Sequence, residues 1–358
     1  MLTTPDPAEI PGLLRKALGP RWNFTVEGAQ LLVRHRDHAT PYRPPRRALP
    51  WPDLLALLES AFADQGVPRA ASLPLRWGRE TELTISAVQA LDPVLKDGGT
   101  VPYRQGFIPQ PVVRLTAKRG PGGTLQDGFL TSFVNASRIA LIPDLSAYTT
   151  AFDQLLTVLS RLGLHARHIT FRGRLVIWQR RQVKGITLRF DHAGLPLGDI
   201  VLLWNEAQPG RLALDLGTSL ERLNWARRRV SWPELIYGCL ADAAPHEVLD
   251  AVRTATLLLA HGLTPSARGA GGVTRQVLQR VPPGVAALGL SRAVRHFHQH
   301  WQCVCTTAVG WHHVSAQMED LLARPHSPSR RVGQQAQRPG RAGVVRTAAP
   351  CRTDDHFS

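Results

Sequence analysis

An aspartate and an arginine, Asp215 and Arg222, stand seven positions apart in the segment LALDLGTSLERL, Leu212 to Leu223. The alternation of Leu212, Leu214 and Leu216 predicts a short strand, which passes through Gly217-Thr218-Ser219 into a helix opening Leu220-Glu221-Arg222-Leu223. A carboxylate at the end of that strand and a guanidinium in the first helical turn would share one wall. A buried carboxylate is costly unless a cation meets it, so Asp215 suits an ammonium group. The arginine fork matches phosphate oxygens in bidentate fashion, so Arg222 suits a phosphate. An ordinary strand-turn-helix, with Asp215 capping and Arg222 solvated, accounts for the same spacing.

The elements that would hold such a pair can be read along the chain. Residues 1–50 hold a short helical pattern at Ile10 to Leu18, a strand pattern at Gln30 to Arg34 and the linker YRPPRR at 42–47. From Trp51, the leucines 54, 55, 57 and 58 with Phe62 give a helix face that ends near Gly66. Extended segments are expected at Ser72 to Trp77, Leu83 to Leu91 and Gly106 to Thr116. The last contains QPVVR, Gln110 to Arg114, and is followed by the glycine-rich loop KRGPGGTLQDG and the extended run FLTSFVNAS, Phe129 to Ser137. Strand, loop and return make an antiparallel hairpin. A helix capped by Ser146 and closed at Gly163 comes next, then β-rich runs at 168–180 and 185–205. The second run pairs with Arg211 to Leu216 through the turn EAQPG, which places Asp215 on a central strand. Helices are expected at 232–240 and 245–261.

Composition narrows the partners. The 358 residues carry a formal net charge of +16, from 43 Lys plus Arg against 27 Asp plus Glu. Residues 321–358 hold seven Arg, no Lys and two Asp, so the rest of the chain is itself basic and favours a polyanionic partner, most simply nucleic acid. Four cysteines (239, 303, 305 and 351) make no disulfide framework in a chain this long, and a reducing cytoplasm is the default. Asp6 and Glu9 stand where a signal peptide would be basic and then apolar, and no apolar run is long enough to span a bilayer. The cluster HFHQHWQCVC at 296–305, with WHH at 311–313, offers zinc-type ligands but crowds them into one run without loop spacing, so no metal site is assigned. A basic tail without periodicity is expected over 301–358.

Three stretches in order resemble the alanyl-tRNA synthetase branch of the class II aminoacyl-tRNA synthetases. Asp215, Gly217, Leu220, Glu221 and Arg222 fall on its D-T-G-x-G-L-E-R motif. Gln110, Pro111 and Arg114 fall on Q-P-C-x-R, with Asn135 and Ser137 on the return strand, where Thr131 stands in place of the family's acidic residue. Asp250, Arg253, Ala260, Gly262, Pro265, Ser266, Gly271, Val273 and Arg275 fall on the family's later helix-loop-helix, while Ala251, His261 and Ala270 depart from it. Leu83 to Leu91, with Ala87 and Gln89, weakly resembles the first class II motif.

The resemblance covers roughly residues 50–280 and implies an α+β fold: an antiparallel sheet flanked by helices, with a short C-terminal helical part. It divides the chain into an extension and linker (1–50), a catalytic domain (51–230), a helical part (231–300) and a tail (301–358). It implies ATP-dependent activation of an amino acid, alanine or a related one, with magnesium on the phosphates and transfer to tRNA or another acceptor. Arg114 would hold the α-phosphate of ATP, Arg222 the γ-phosphate side with Glu221 beside it, and Asp215 the α-ammonium. Gly217 would let the substrate approach the backbone. A second polar group is expected where the family has Trp-Asn. Gly198-Asp199 preserves the strand lengths and is favoured over the literal Trp204-Asn205, so both Asp199 and Asn205 are candidates. A homodimer through the first-motif region is a further expectation. The family's editing domain and most of its tRNA-reading part have no counterpart, and a non-catalytic protein binding RNA or a protein partner is the alternative.

Overall fold

A computed structural model describes residues 4–115, 125–282 and 289–323. The chain enters through helix α1 (Ile10–Leu18) and the hairpin β1 (Trp22–Glu27) and β2 (Gln30–His35). It continues through α2 (Trp51–Ala63) and α3 (Asp92–Leu95) to the hairpin β3 (Gly106–Val113) and β4 (Ser132–Ile142). Helix α4 (Leu145–Arg161) leads to five strands: β5 (Ile169–Arg174), β6 (Trp178–Arg180), β7 (Val183–His192), β8 (Leu195–Asn205) and β9 (Gln208–Ser219). Six helices follow: α5 (Leu220–Arg228), α6 (Trp232–Tyr237), α7 (His246–Ala260), α8 (Gly269–Leu278), α9 (Leu290–Gln302) and α10 (Trp311–Ala323). The strands form one nine-stranded sheet in the order β1-β2-β5-β7-β8-β9-β4-β3, with β6 added on β7, and each of its ladders is antiparallel. Among the described residues the fold is therefore α+β, as expected.

Strand alternation gives the sheet two unlike faces. Leu188, Phe190, Ile200, Leu202, Leu214 and Leu216 point to one side and share a core with Leu14, Phe62, Phe152, Leu155 and Leu159 of α1, α2 and α4. On the other side Ile108, Ile139, Val201, Leu203 and Ala213 form a smaller apolar patch covered by Leu73, Ala87, Ala90, Leu91 and Leu95. Beyond that patch the second face is polar.

Several expectations are corrected. Residues 1–50, read as an extension, supply two strands of the sheet, and α1 packs on α4. Ser72 to Trp77 holds no strand, only an isolated bridge from Arg76 to Leu83. Leu83 to Leu91 is not extended throughout, because Ser86 and Gln89 form a capping box that starts a 3-10 helix over Ala87–Leu91. Helix α4 is capped by Asp144, whose carboxylate accepts from Ala147 N at 2.8 Å, two residues ahead of the expected Ser146. The run 168–180 splits into β5 and β6. The tail expected from residue 301 starts later: Val314, Met318 and Leu322, four apart, bury one face of α10. Residues 324–358 and most of the glycine-rich loop lie outside the described residues. Among the described residues no helix is long and apolar enough to cross a membrane.

Candidate active site

Register decides which polar residues meet on the second face. Gly217 on β9 lies opposite Asp199 on β8 and Ser137 on β4, while Asp215 lies opposite Val201 and Ile139. Directly opposed residues project to the same side of an antiparallel sheet, and diagonal neighbours remain within reach of one another. Asp199, Gly217 and Ser137 thus form a row, with Asp215 one step along. Gly217, itself buried, stands in the middle of the row with polar side chains on three sides. A Cβ built there would stand 3.4 Å from Asp199 Oδ1, 3.5 Å from Ser137 Oγ and 3.7 Å from Asn135 Nδ2.

Two arginines border this row from other elements. Arg114 follows the last residue of β3, and its Nε donates to Ile85 O at 2.6 Å while the guanidinium lies 5.0 Å over the Phe133 ring. Arg222 sits in the first turn of α5, where Ser219 Oγ caps the helix by accepting from Arg222 N at 3.3 Å. Its Nε donates to Gly128 O at 2.9 Å and its guanidinium lies 4.9 Å over Phe129. Each fork is steered by one carbonyl and one ring. Among the described residues, the terminal nitrogens of both lack a hydrogen-bond partner and are free to take an anion.

The electrostatics are those of an incomplete site. Asp215 is 9% exposed, and among the described residues its Oδ1 has no hydrogen-bond partner. Burial pushes its carboxyl up to about 8, the Asp199 charge adds to this, and Arg114 opposes it. Burial also raises Asp199, against the pull of Arg114, Arg189 and Arg222. Both arginines are pushed down by burial, and Arg222 additionally by the Arg114 charge. Like charges are therefore crowded with like, carboxylate by carboxylate and guanidinium by guanidinium.

Two candidates, Asn205 and Glu221, go elsewhere. Asn205 lies at the far end of β8, where Nδ2 donates to Leu95 O at 2.8 Å and Oδ1 accepts from Ala207 N at 2.8 Å, so it closes the β8–β9 hairpin. Of the two alignments, Asp199 is the one brought beside Asp215. Gly198 is not a vacated pocket wall, because a Cβ there would sit 2.0 Å from Gly217 O and 3.0 Å from Phe190 on the helix-covered side. Glu221 points away from Arg222 into a closed network. Its Oε1 accepts from Arg253 Nη2 at 2.7 Å, its Oε2 from Ser219 Oγ at 2.8 Å, and both from Val134 N at 3.1 Å. Arg253 also donates to Ser132 O and His300, and lies 4.3 Å over Trp301. Burial alone would raise Glu221, but His300, Arg253 and Ser219 together hold it down at about 2.

Sequence reasoning listed Asn135 and Ser137 only as motif matches, and their roles emerge here. Asn135 pins the 3-10 segment to the sheet, with Oδ1 accepting from Ala87 N at 2.8 Å and Nδ2 donating to Thr218 O at 3.1 Å. Thr131, which replaces an expected acid, donates its backbone N–H to Asp250 Oδ1 at 2.9 Å, so α7 supplies a carboxylate to that position. Phe129 and Phe133 were unassigned; their alternate spacing around the return strand was the available signal. The histidine cluster is divided: His300 joins Arg253, and His298 Nε2 contacts Val309 O at 2.8 Å. No family model and no curated protein matches the chain.

Proposed function

We propose that this chain is an ATP-dependent amino-acid-activating ligase of the class II synthetase kind, which joins an amino acid, alanine or a related one, to AMP and passes it to tRNA or another acceptor. The supporting observation is the convergence of Arg114, Asp199, Asp215 and Arg222 on one sheet face, with both arginine forks steered and, among the described residues, their terminal nitrogens without a hydrogen-bond partner. In this reaction the amino-acid carboxylate attacks the α-phosphorus of ATP, an acyl-phosphate bond forms, and pyrophosphate leaves. No side-chain nucleophile is required, because positioning and charge neutralisation carry the rate. Asp215 holds the α-ammonium, Arg114 the α-phosphate and Arg222 the distal phosphates.

The donor set fits ATP in the forks and in the aromatic rings beneath them. Magnesium, when bound, supplies charge neutralisation on the phosphates. Glu221 does not fit as its ligand, because Arg253, Ser219 and Val134 already fill both carboxylate oxygens. Magnesium would therefore be carried by the phosphates and water. The basic excess of the chain supports a polyanionic acceptor such as tRNA.

Amino-acid-dependent exchange of labelled pyrophosphate into ATP tests this reading. Exchange with an amino acid in the wild type, abolished in Asp215→Asn, is the expected result. A folded protein with no exchange across standard and non-standard amino acids would move the chain to the non-catalytic alternative.

A further inference from the structure

The polar face that carries Asp199 does not stop at the candidate site. Its row runs outward from Asp199 on β8 to Arg189 on β7, Arg172 on β5 and Leu32 on β2. The flanking rows add Arg174, opposite Gln30, and Arg34, opposite Thr170 and Asn23. Alternation puts these four arginines on the side away from Leu31, Val33, Phe171, Leu188 and Phe190, which lie in the helix-covered core. All four are exposed. The basic face then turns the corner of the sheet, where Asn23 also lines a cleft of about 460 Å³ with Arg15, Phe24 and Arg36. Arg21, exposed as well, is tied to this corner by its carbonyl, which accepts from Arg36 N at 2.8 Å.

The acids of this region are spent or outlying. Asp191 is gripped by Arg172, with Nε at 2.9 Å and Nη2 at 3.1 Å, and Asp199 is balanced in part by Arg189 opposite it. Asp37 lies 3.8 Å from His35, and Glu27 stands opposite Gln30 at the outer edge. Among the described residues Arg34, Arg36 and Arg174 have no side-chain hydrogen bond or ion pair. Their neighbours on the rows are Asn23, Thr25, Gln30 and Thr170, with Leu32 the one large apolar side chain among them. A lipid surface or an apolar protein patch finds little to bury there. Phosphates fit the guanidinium forks, and the hydroxyl and amide groups beside them suit ribose 2′-hydroxyls.

We infer that this face is the docking track of an RNA acceptor, whose phosphate backbone is met by Arg34, Arg36 and Arg174 and led across β2 and β5 toward Arg189 at the edge of the site. The choice of RNA rests on the adenylating reading, while the binding is measured apart from it. The track belongs to the first fifty residues as much as to the sheet they join, which gives the hairpin β1–β2 a part in the reaction. Neighbouring strands lie about 4.7–4.9 Å apart, so arginines on successive strands can follow one backbone from phosphate to phosphate.

Fluorescence anisotropy of a labelled, unfractionated tRNA pool, titrated with the full chain over a series of salt concentrations, tests it beside pyrophosphate exchange. Arg34→Gln/Arg36→Gln should weaken tRNA binding at least about tenfold and lower the slope of log affinity against log salt by about 1–2. Its exchange activity should equal that of wild type. Arg34→Lys/Arg36→Lys should keep most of the slope, and Arg174→Gln should give a smaller loss of affinity. Arg76→Gln/Arg104→Gln, which removes the same charge from exposed positions off the track, should leave binding nearly unchanged. An equal loss in that control, or no loss in Arg34→Gln/Arg36→Gln, overturns the inference. So does duplex DNA or polyglutamate bound as tightly as tRNA. Exchange by the wild type without track-dependent tRNA binding leaves the adenylating reading intact and defeats this one. Track-dependent tRNA binding without exchange does the reverse, and absence of both defeats both.

Discussion

Glu221 and Arg222 are neighbours in sequence, yet they belong to two buried charge clusters of opposite character. Glu221, 0% exposed, is met by Arg253, Ser219, Val134 and His300, and its carboxyl is held down at about 2. Asp215, 9% exposed on the preceding strand, has an oxygen with no partner and is pushed up to about 8. Burial is similar in the two places, so the difference lies in hydrogen bonding and counter-charge. The Glu221 cluster ties the start of α5 to β4, α7 and α9. The Asp215 cluster is opposed only by the charges of Arg114 and, at Asp199, of Arg189 and Arg222, and among the described residues Asp215 Oδ1 has no hydrogen bond, a condition frequent at functional sites.

The contrast can be broken at several points, beginning with the largest effect. Arg253→Met leaves Glu221 buried without its cation and should cost ~3–5 kcal/mol in a urea denaturation experiment. Asp215→Asn, by comparison, should leave stability unchanged or raised; an equal loss in both variants would erase the distinction between the clusters. Arg222→Ala should lower exchange activity at least about tenfold, from loss of a charge-assisted phosphate contact of ~1.5–3 kcal/mol, with a smaller stability loss than Arg253→Met.

The pH dependence of stability separates the two clusters without changing a contact. Asp215, with its folded value raised to about 8 from an ordinary ~3.9, keeps a proton that the unfolded chain has released. Its contribution is greatest at low pH and is lost as pH rises across that window. Glu221, lowered to about 2 from an ordinary ~4.3, contributes fully above ~4.3, and that contribution is lost as pH falls toward 2. Denaturation at a series of pH values should show both limbs, and Asp215→Asn should flatten the upper one alone. The smallest effect belongs to Asn205→Ala, which removes one hydrogen bond within the β8–β9 hairpin and one to Leu95 of α3, each worth ~0.5–1.5 kcal/mol, and should leave exchange unaltered. A loss of exchange there would return Asn205 to the site.

Short-range patterns were legible before any coordinates. The alternation at 212–216 and the passage through Gly217-Thr218-Ser219 into a helix are observed as read, with Ser219 rather than Asp215 as the cap, and β8 joins β9 through Glu206 and Ala207 of EAQPG, the rest of which belongs to β9. The Ser86/Gln89 capping box was equally visible in the sequence, but the apolar run around it was given to a strand. Periodicity, caps and turn residues act within one element, so a linear sequence carries them.

What the sequence by itself determined is therefore the local course of the chain and the identity of the charged residues available to it. Which of them meet was decided only by tertiary structure. Asp199 and Asn205 lie on the same strand six residues apart, and the β8–β9 register alone gives one to Asp215 and the other to a hairpin. Glu221 and Arg222 are parted because adjacent helical residues project about 100° apart. Arg253, from a distant helix, claims the first, while the second turns to Gly128 O beside the Asp199–Asp215 row. The first fifty residues join the sheet because β2 pairs with β5, more than a hundred positions away. Such pairings are settled by burial and hydrogen-bond satisfaction over the whole molecule, quantities that no local spacing contains.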